Sequence, residues 1–513
     1  MSSPRLRILS LTHVLPDRDR AAAYSPPPPL PDDGLVELSF MEVLFVDRVM
    51  PMRRLFFYEG PGVPAFPRLV RSLRSSLAVA LALFPPLSGK LAHRPSAAAG
   101  DVVVDCSPAA VSSGVKFVEA EYGGGIEDMR RVAGGGSDEG DREALTELGP
   151  ELDATRLPAP VLAVQVTRPA VGRAAVVAVA LHHAVADGHS AWQFMRAWAA
   201  LSRMEVSPSR AGADLAPPAF DRTPLRYPEA DELARKILRT VAPALPVVIS
   251  LPHSHHTTFP DNFSKRDCKF ELTIDQISSS SSCLPPDCLR RTFLIHAGEI
   301  QLVKQHIRAQ SQTTGEQADK PPSTYLAVSS LVWTSVARAK FRDLAGGDAN
   351  FLVPVDFRRR LGSPIDERYF GDCVVPCVAR AAVRDLLDGG GAGLARAAAA
   401  IRDAIRVQPE CPVRAMEAWL ESLRTVPRVR ERFTFTGSSN RFMAYETDFG
   451  WGAPSRVELL SLFAMELVLL LGAQDGGVQV TATLRPEHME AFASNLGRFS
   501  GRGDGRRLRI GRP

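Results

Sequence analysis

Residues 180–192 read "ALHHAVADGHSAW", and the pattern changes in the middle of them. Upstream, "PVLAVQVTR" (160–168) and "RAAVVAVALHH" (173–183) are β-rich runs joined by "PAVG", a turn with both proline and glycine. After Gly188 the apolar period moves from two to 3.6, with Ala191, Phe194, Met195 and Trp198 on one stripe and Ser190 placed as N-cap. The stretch is therefore a strand-to-helix connection, a place where side chains can project into a cleft. On a strand, His182 and His183 face opposite ways, so only one can enter a given cleft. A neutral imidazole with an ordinary pKa of about 6.5 suits removal of a proton from an alcohol or amine attacking a carbonyl. His183 opens His-x-x-x-Asp, closed by Asp187 and Gly188, and the Asp-Gly step is a tight-turn signal.

Around this stretch, 513 residues exceed one hydrophobic core, and two domains of roughly 200 to 250 residues are expected. Lys plus Arg number 61 against 57 Asp plus Glu. The tail "GRGDGRRLRIGRP" (501–513), with five arginines and one aspartate, carries that whole surplus. It reads as a frayed, disordered terminus. A basic tail on a neutral body argues against a nucleic-acid partner. Seven cysteines without a CxxC pair fit reduced thiols in a cytoplasmic protein and no structural zinc. The N-terminus is broken by charge and proline, a poor signal peptide, and no run of about 18 apolar residues predicts a membrane span.

Along the chain, "LRILSLTHVLP" and "MRRLFFYE" read as strands, and Leu69, Leu73, Leu77 and Leu81 mark a helix ended by Pro85 and Pro86. "GGGIED" and "GGGSDEGD" read as flexible surface insertions. Residues 205–250 are proline-rich and weakly periodic, the expected crossing between domains. In the second half, "STYLAVSSLVWTSVARAKF" and "RPEHMEAFASNL" predict helices and "NFLVPVDFRRRL" a strand. "RVELLSLFAMELVLLLGAQDGGVQVTATL" predicts two or three strands. The balance is mixed α/β, with no internal repeat.

About 260 residues after the histidines comes "YETDFGWG", ending in Asp448-Phe449-Gly450-Trp451-Gly452. HHxxxDG and DFGWG, in this order and at this separation, resemble the BAHD family of plant acyl-CoA-dependent acyltransferases. "RRLFFYEGP" (53–61), "PPAFDRTPL" (217–225) and "VDFRRRL" (355–361) extend the likeness over nearly the whole chain. "YFGDCV" (369–374) resembles the YFGNC signature of the branch that acylates anthocyanin and flavonoid glycosides. The resemblance implies an α/β, chloramphenicol-acetyltransferase-like fold. Its two similar-sized domains are each a mixed β-sheet with helices, and they meet around an active-site channel. The expected division is 1–216 with HHxxxDG, a crossover at 217–247, 248–500 with DFGWG, and the tail.

The resemblance further implies that His183 is the general base and His182 a packing neighbour. Asp187 is then a loop anchor, expected in a buried ion pair with Arg358, and Asp448 a functional residue of a loop that shapes the CoA side of the channel. Ser323, Thr324 and Arg456 are candidate CoA contacts; a helix N-terminus favours anions, although a plain cap and a surface arginine are the simpler alternatives. Acyl-CoA is expected as co-substrate, with no permanently bound cofactor and no metal. The partners are a small-molecule acceptor and acyl-CoA, with no nucleic acid and no membrane, on a cytoplasmic monomer.

Malonyl is the first donor expected and hydroxycinnamoyl the second, with a hydroxyl of a phenolic or flavonoid glycoside as acceptor. Two alternatives are an amine or polyamine acceptor and a non-catalytic acyl-CoA-binding protein of the same fold. Peptide-synthetase condensation domains share HHxxxDG but sit beside carrier domains, of which none is visible. Two departures stand out: Asp372 where the family has Asn, and no tryptophan shortly before DFGWG. The oxyanion donor must then be backbone or a hydroxyl such as Ser438 or Ser439. "HSHH" (253–256) has no spaced partners and reads as a surface loop.

Overall fold

The computed structural model describes residues 6–26, 30–47, 51–94, 102–134, 139–206, 217–248, 288–313, 320–341, 346–362, 365–389, 391–408, 411–425, 432–460 and 467–497. The Gly/Arg-rich tail, the "HSHH" loop and the serine run near 280 lie outside them.

Two six-stranded mixed sheets organise the chain. The first runs, edge to edge, Leu6–Val14, Val115–Gly125, Leu162–Val171, Ala174–Leu181, Met52–Glu59 and Arg456–Leu460. Its one parallel pairing joins Val115–Gly125 to Leu162–Val171; the others are antiparallel. The hairpin read from "PAVG" is present, and Gly172 (φ 106°) takes the left-handed conformation at its tip. The second sheet runs Leu289–Ile295, Val478–Leu484, Leu467–Gly472, Phe433–Gly437, Asp348–Asp356 and Val374–Ala382. A small four-stranded antiparallel sheet, unforeseen in the sequence, is laid over the first half by Leu35–Glu37, Val102–Asp105, Lys90–His93 and Ala159–Pro160.

The helices follow from apolar spacing. In Phe66–Leu83 the leucines at 69, 73, 77 and 81 are all buried, each worth roughly 1.5–3 kcal/mol of transfer free energy. That face packs on the helix Gly188–Val206. There the fully buried Trp198 donates its indole N–H to Leu73 O (3.2 Å) and Ser76 Oγ (3.1 Å). Thr324–Lys340 is buried almost all round, because helices Ala297–Thr313, Ala392–Arg406 and Pro486–Gly497 pack against it. An all-round apolar helix can only be a core helix in such a fold.

Two local expectations change. "GGGIED" is not an insertion: its glycines end a strand, and Ile126–Ala133 is a helix that buries Met129 and Val132. Within the proline-rich crossing, Ala230–Val241 is a helix burying Ala230, Leu233, Ala234, Ile237 and Leu238. The spacing was present there, but the surrounding prolines mask it. The strands after DFGWG, expected as two or three, number three among the described residues, and they divide between the sheets. Arg456–Leu460 pairs with Met52–Glu59 of the first sheet, while the next two strands complete the second. One continuous apolar core spans both halves.

Candidate active site

Leu181 ends its strand, and the chain turns through His182–Asp187 into the helix Gly188–Val206. The helix N-cap is Asp187, not Ser190: the Asp187 carbonyl accepts from Ala191 N (2.9 Å) and its Oδ1 from Ser190 N (2.8 Å). Ser190 instead bridges to the second half. Its hydroxyl donates to Gly371 O (2.8 Å) and receives Arg358 Nη2 (3.1 Å) and Gly371 N (3.1 Å). Gly188 has no left-handed φ; its lack of a side chain is a matter of close approach. A Cβ there would lie 2.7 Å from the Phe442 ring.

Arg358 Nη1 donates to Asp187 Oδ2 at 2.6 Å, and both side chains are buried. Cys373 N adds a third donor to that carboxylate (3.2 Å). Burial alone would push the Asp187 carboxyl up, but the Arg358 charge and these hydrogen bonds hold it below its ordinary value. The aspartate therefore binds the loop to the opposite half.

The two histidines part, although both lie in the turn beyond the strand end at Leu181. His182 is 1% exposed, and burial together with His183 lowers its pKa to about 4. Its Nδ1 accepts from Ala184 N (3.2 Å), so it is a neutral packing residue. The side chain of His183 keeps 16% exposure. Its ring stacks on Phe45 at 3.9 Å between centroids and 10° between planes. Its Nδ1 lies 3.0 Å from Oδ2 of the fully buried Asp372.

Behind Asp372 sits a second buried ion pair that sequence reading missed. Glu42 accepts from Arg222 Nη2 (2.7 Å) and Nε (3.2 Å). It also accepts from Ser39 N (2.6 Å), the Tyr369 hydroxyl (3.3 Å) and Asp372 N (3.3 Å). A capping box at Ser39 and Glu42 opens the helix Phe40–Val43. That box was the available signal, and the same segment continues to Phe45. Gly371 packs directly on this carboxylate: a Cβ would lie 2.5 Å from Glu42 Oε1.

The Asp448–Gly452 loop is built differently. Asp448 Oδ1 accepts the backbone N–H of Gly450 (2.7 Å), Trp451 (3.0 Å) and Gly452 (2.9 Å). Gly450 (φ 101°) and Gly452 (φ 97°) are left-handed, which lets three successive donors converge on one oxygen. Phe449 is fully buried, edge-on to Trp198 at 5.0 Å, and its carbonyl accepts from Ser202 Oγ (3.1 Å).

Ser323 caps the helix Thr324–Lys340 by accepting from Leu326 N (3.1 Å), and Lys304 Nζ lies 3.1 Å from Thr324 Oγ1. Arg456 is no surface residue: its Nε is 2.5 Å from Glu458 Oε1, within a buried cluster that includes Arg290. Ser438 and Ser439 also part. Ser438 is left-handed (φ 67°), with a buried hydroxyl lacking a partner among the described residues, whereas Ser439 Oγ accepts from Arg441 N (3.2 Å). Among the described residues no cluster of His, Cys, Asp or Glu is placed to hold a metal ion, and no helix is long and apolar enough to cross a membrane.

The sequence pattern described as "Transferase family" matches residues 25–498. A malonyl-coenzyme:anthocyanin 5-O-glucoside-6'''-O-malonyltransferase of Salvia splendens is 24% identical over 489 residues, covering 91% of this chain and 92% of its own. Phenolic glucoside malonyltransferase 2 of Arabidopsis thaliana is 24% identical over 461 residues, covering 86% and 89%. Among solved structures, vinorine synthase superposes with a TM-score of 0.65 at 17% identity, over 97% of this chain and all of its own.

Proposed function

The chain belongs to the transferase family of BAHD acyl-CoA-dependent acyltransferases, and from that premise we propose that it carries an acyl group from CoA to a hydroxyl of a phenolic or flavonoid glycoside. Malonyl is the first donor and hydroxycinnamoyl the second. The malonyltransferases acting on anthocyanin and phenolic glucosides among its relatives support this order. Acyl-CoA is a co-substrate. The small-molecule acceptor meets it on a monomer acting in the cytoplasm.

One observation carries the reading: His183 alone of the two histidines retains an accessible ring, and it stands where the turn of the first half meets the Tyr369–Val374 loop of the second. With Nδ1 facing Asp372, Nε2 takes the proton of the acceptor hydroxyl. The acceptor oxygen bonds to the thioester carbon, and the tetrahedral oxyanion collapses. The C–S bond breaks, and Nε2 returns the proton to the CoA thiolate. Holding both substrates at once makes an acyl-enzyme unnecessary. The oxyanion donor is a backbone N–H or a hydroxyl such as Ser438, a buried donor at a left-handed backbone position, or Ser439. Ser323 and Thr324, at a helix N-terminus, receive the CoA. Asp187, Gly188 and Arg358 keep the histidine turn in place, and Asp448 to Gly452 shape the CoA side.

The test measures free CoA thiol with a panel of acyl-CoAs and of glycoside and polyamine acceptors, identifying products by mass. Malonylated or hydroxycinnamoylated glycoside is expected, with turnover reduced about 10²–10⁴-fold by His183→Ala. Binding without turnover across the panel, or turnover unchanged in the variant, overturns the reading; products on amines alone move it to N-acylation.

A further inference from the structure

Asp372 is 0% exposed, and its environment argues against an idle carboxyl. One oxygen, Oδ1, accepts Val374 N at 3.0 Å. The other, Oδ2, has no hydrogen-bond partner aligned with it among the described residues, and the polar atom 3.0 Å away is Nδ1 of His183. The contact is within hydrogen-bond distance but not yet aligned, as catalytic contacts commonly are before a substrate closes the site. Phe45, stacked flat on the imidazole, limits tilting of the ring out of its own plane.

We infer that Asp372 is the positioning residue of the catalytic histidine: as a carboxylate it accepts the Nδ1 proton, places the lone pair of His183 on Nε2, and makes the two side chains take up and lose protons as one unit. The inference rests on His183 being the base.

The surrounding charges set where that unit titrates. Asp187 and Glu42 face it with negative charge, Arg358 and Arg222 with positive, and neutral His182, Cys373 and Tyr369 complete the wall. Each arginine is already committed to one of the two carboxylates, and Arg358 also to Asp356 (3.2 Å). Asp372 therefore becomes a third buried negative charge with no cation of its own. Burial first, and the Asp187 charge second, push its carboxyl well above its ordinary value. With one proton, the unit is carboxylate and Nδ1–H, with Nε2 ready. With two protons and no net charge, an Asp372 O–H donates to Nδ1 and the proton sits on Nε2, where it blocks the reaction. Discharging that second proton creates a buried anion, so it is released at higher pH than from a lone imidazole (about 6.5). An amide at 372 would hold the same tautomer through its carbonyl oxygen without that charge.

The experiment is the pH dependence of kcat/KM for the intact chain, Asp372→Asn and Asp372→Val, read as CoA thiol release with the donor and acceptor found above. Expected for the parent chain is an acid limb above about 6.5. In Asp372→Asn the limb should move at least about one unit lower, with the plateau kept within about tenfold. In Asp372→Val, kcat should fall about 10–100-fold with little change in KM, because neither tautomer is then imposed. A limb unmoved by Asn, or a Val variant with the parent's kcat and profile, overturns the assignment. If Val does not fold, the Asn profile alone decides. Loss of activity in His183→Ala beside an unmoved Asn profile removes this inference and spares the general base. Activity surviving His183→Ala removes the base itself.

Discussion

Two loops in this molecule each carry an aspartate in a motif, and they use it in opposite ways. In the turn before Gly188–Val206, Asp187 is buried and pinned by Arg358, Ser190 N and Cys373 N, two of these partners coming from the other half of the chain. In Asp448–Gly452 the carboxylate gathers three N–H groups of its own loop, with two glycines exposed at its edge. The first aspartate joins the halves; the second shapes a single loop. Both carboxylates are engaged by these partners, and neither supplies the oxygen 3.0 Å from His183 Nδ1. That place belongs to Asp372, which no His-x-x-x-Asp spacing announces. Motif membership therefore says that an aspartate matters and leaves its partner to the fold.

The largest effect that can break this contrast is Asp187→Ala. It leaves the buried Arg358 with only the half-exposed Asp356 (3.2 Å) as counter-charge, and a loss of up to about 3–5 kcal/mol in unfolding free energy is expected by denaturant titration. The folded Asp187 carboxyl lies below its unfolded value. The pair's stabilisation is therefore present above the unfolded pKa of about 3.9 and is lost as pH falls through the folded value. The difference between parent and variant should shrink on acidification. Wild-type melting with turnover alone lost would move Asp187 from anchor to chemistry.

Asp448→Ala comes next. Its hydrogen bonds lie in a partly open loop, so a loss of about 1–3 kcal/mol is expected, with a raised KM for acyl-CoA and a smaller change in kcat. A collapse of kcat at unchanged stability would make the two aspartates more alike than their contacts imply. The smallest effect is Ser323→Ala, about 1 kcal/mol for a lost helix cap. A several-fold rise in KM for acyl-CoA is expected beside it; melting lowered with KM unchanged would leave Ser323 a cap and nothing more.

Much of this was legible from spacing. The hairpin 162–181, the helix that follows, and the helices 66–83 and 324–340 all follow from apolar period and turn residues. The separation of His182 from His183 was expected from strand alternation, but the strand ends at Leu181 and the turn after it parts them. The N-cap was misread because Asp187 and Ser190 are both good capping residues three positions apart; only the first has its carbonyl on the first helical turn. Glu42, Phe45 and Arg222 were missed because each meets the site through contacts between segments far apart in the chain.

By itself, then, the sequence determined the family and most element types, and the family resemblance pointed to His183, because these depend on short-range order: period, turn chemistry and motif spacing. Tertiary structure alone decided which charges share a wall. It seated Arg290 beside Glu458, drew the strand after DFGWG into the first sheet, and set Asp372 against His183. Buried electrostatics follows distance through space, and two residues 189 positions apart on the chain acquire a separation of 3.0 Å only when both sheets have packed.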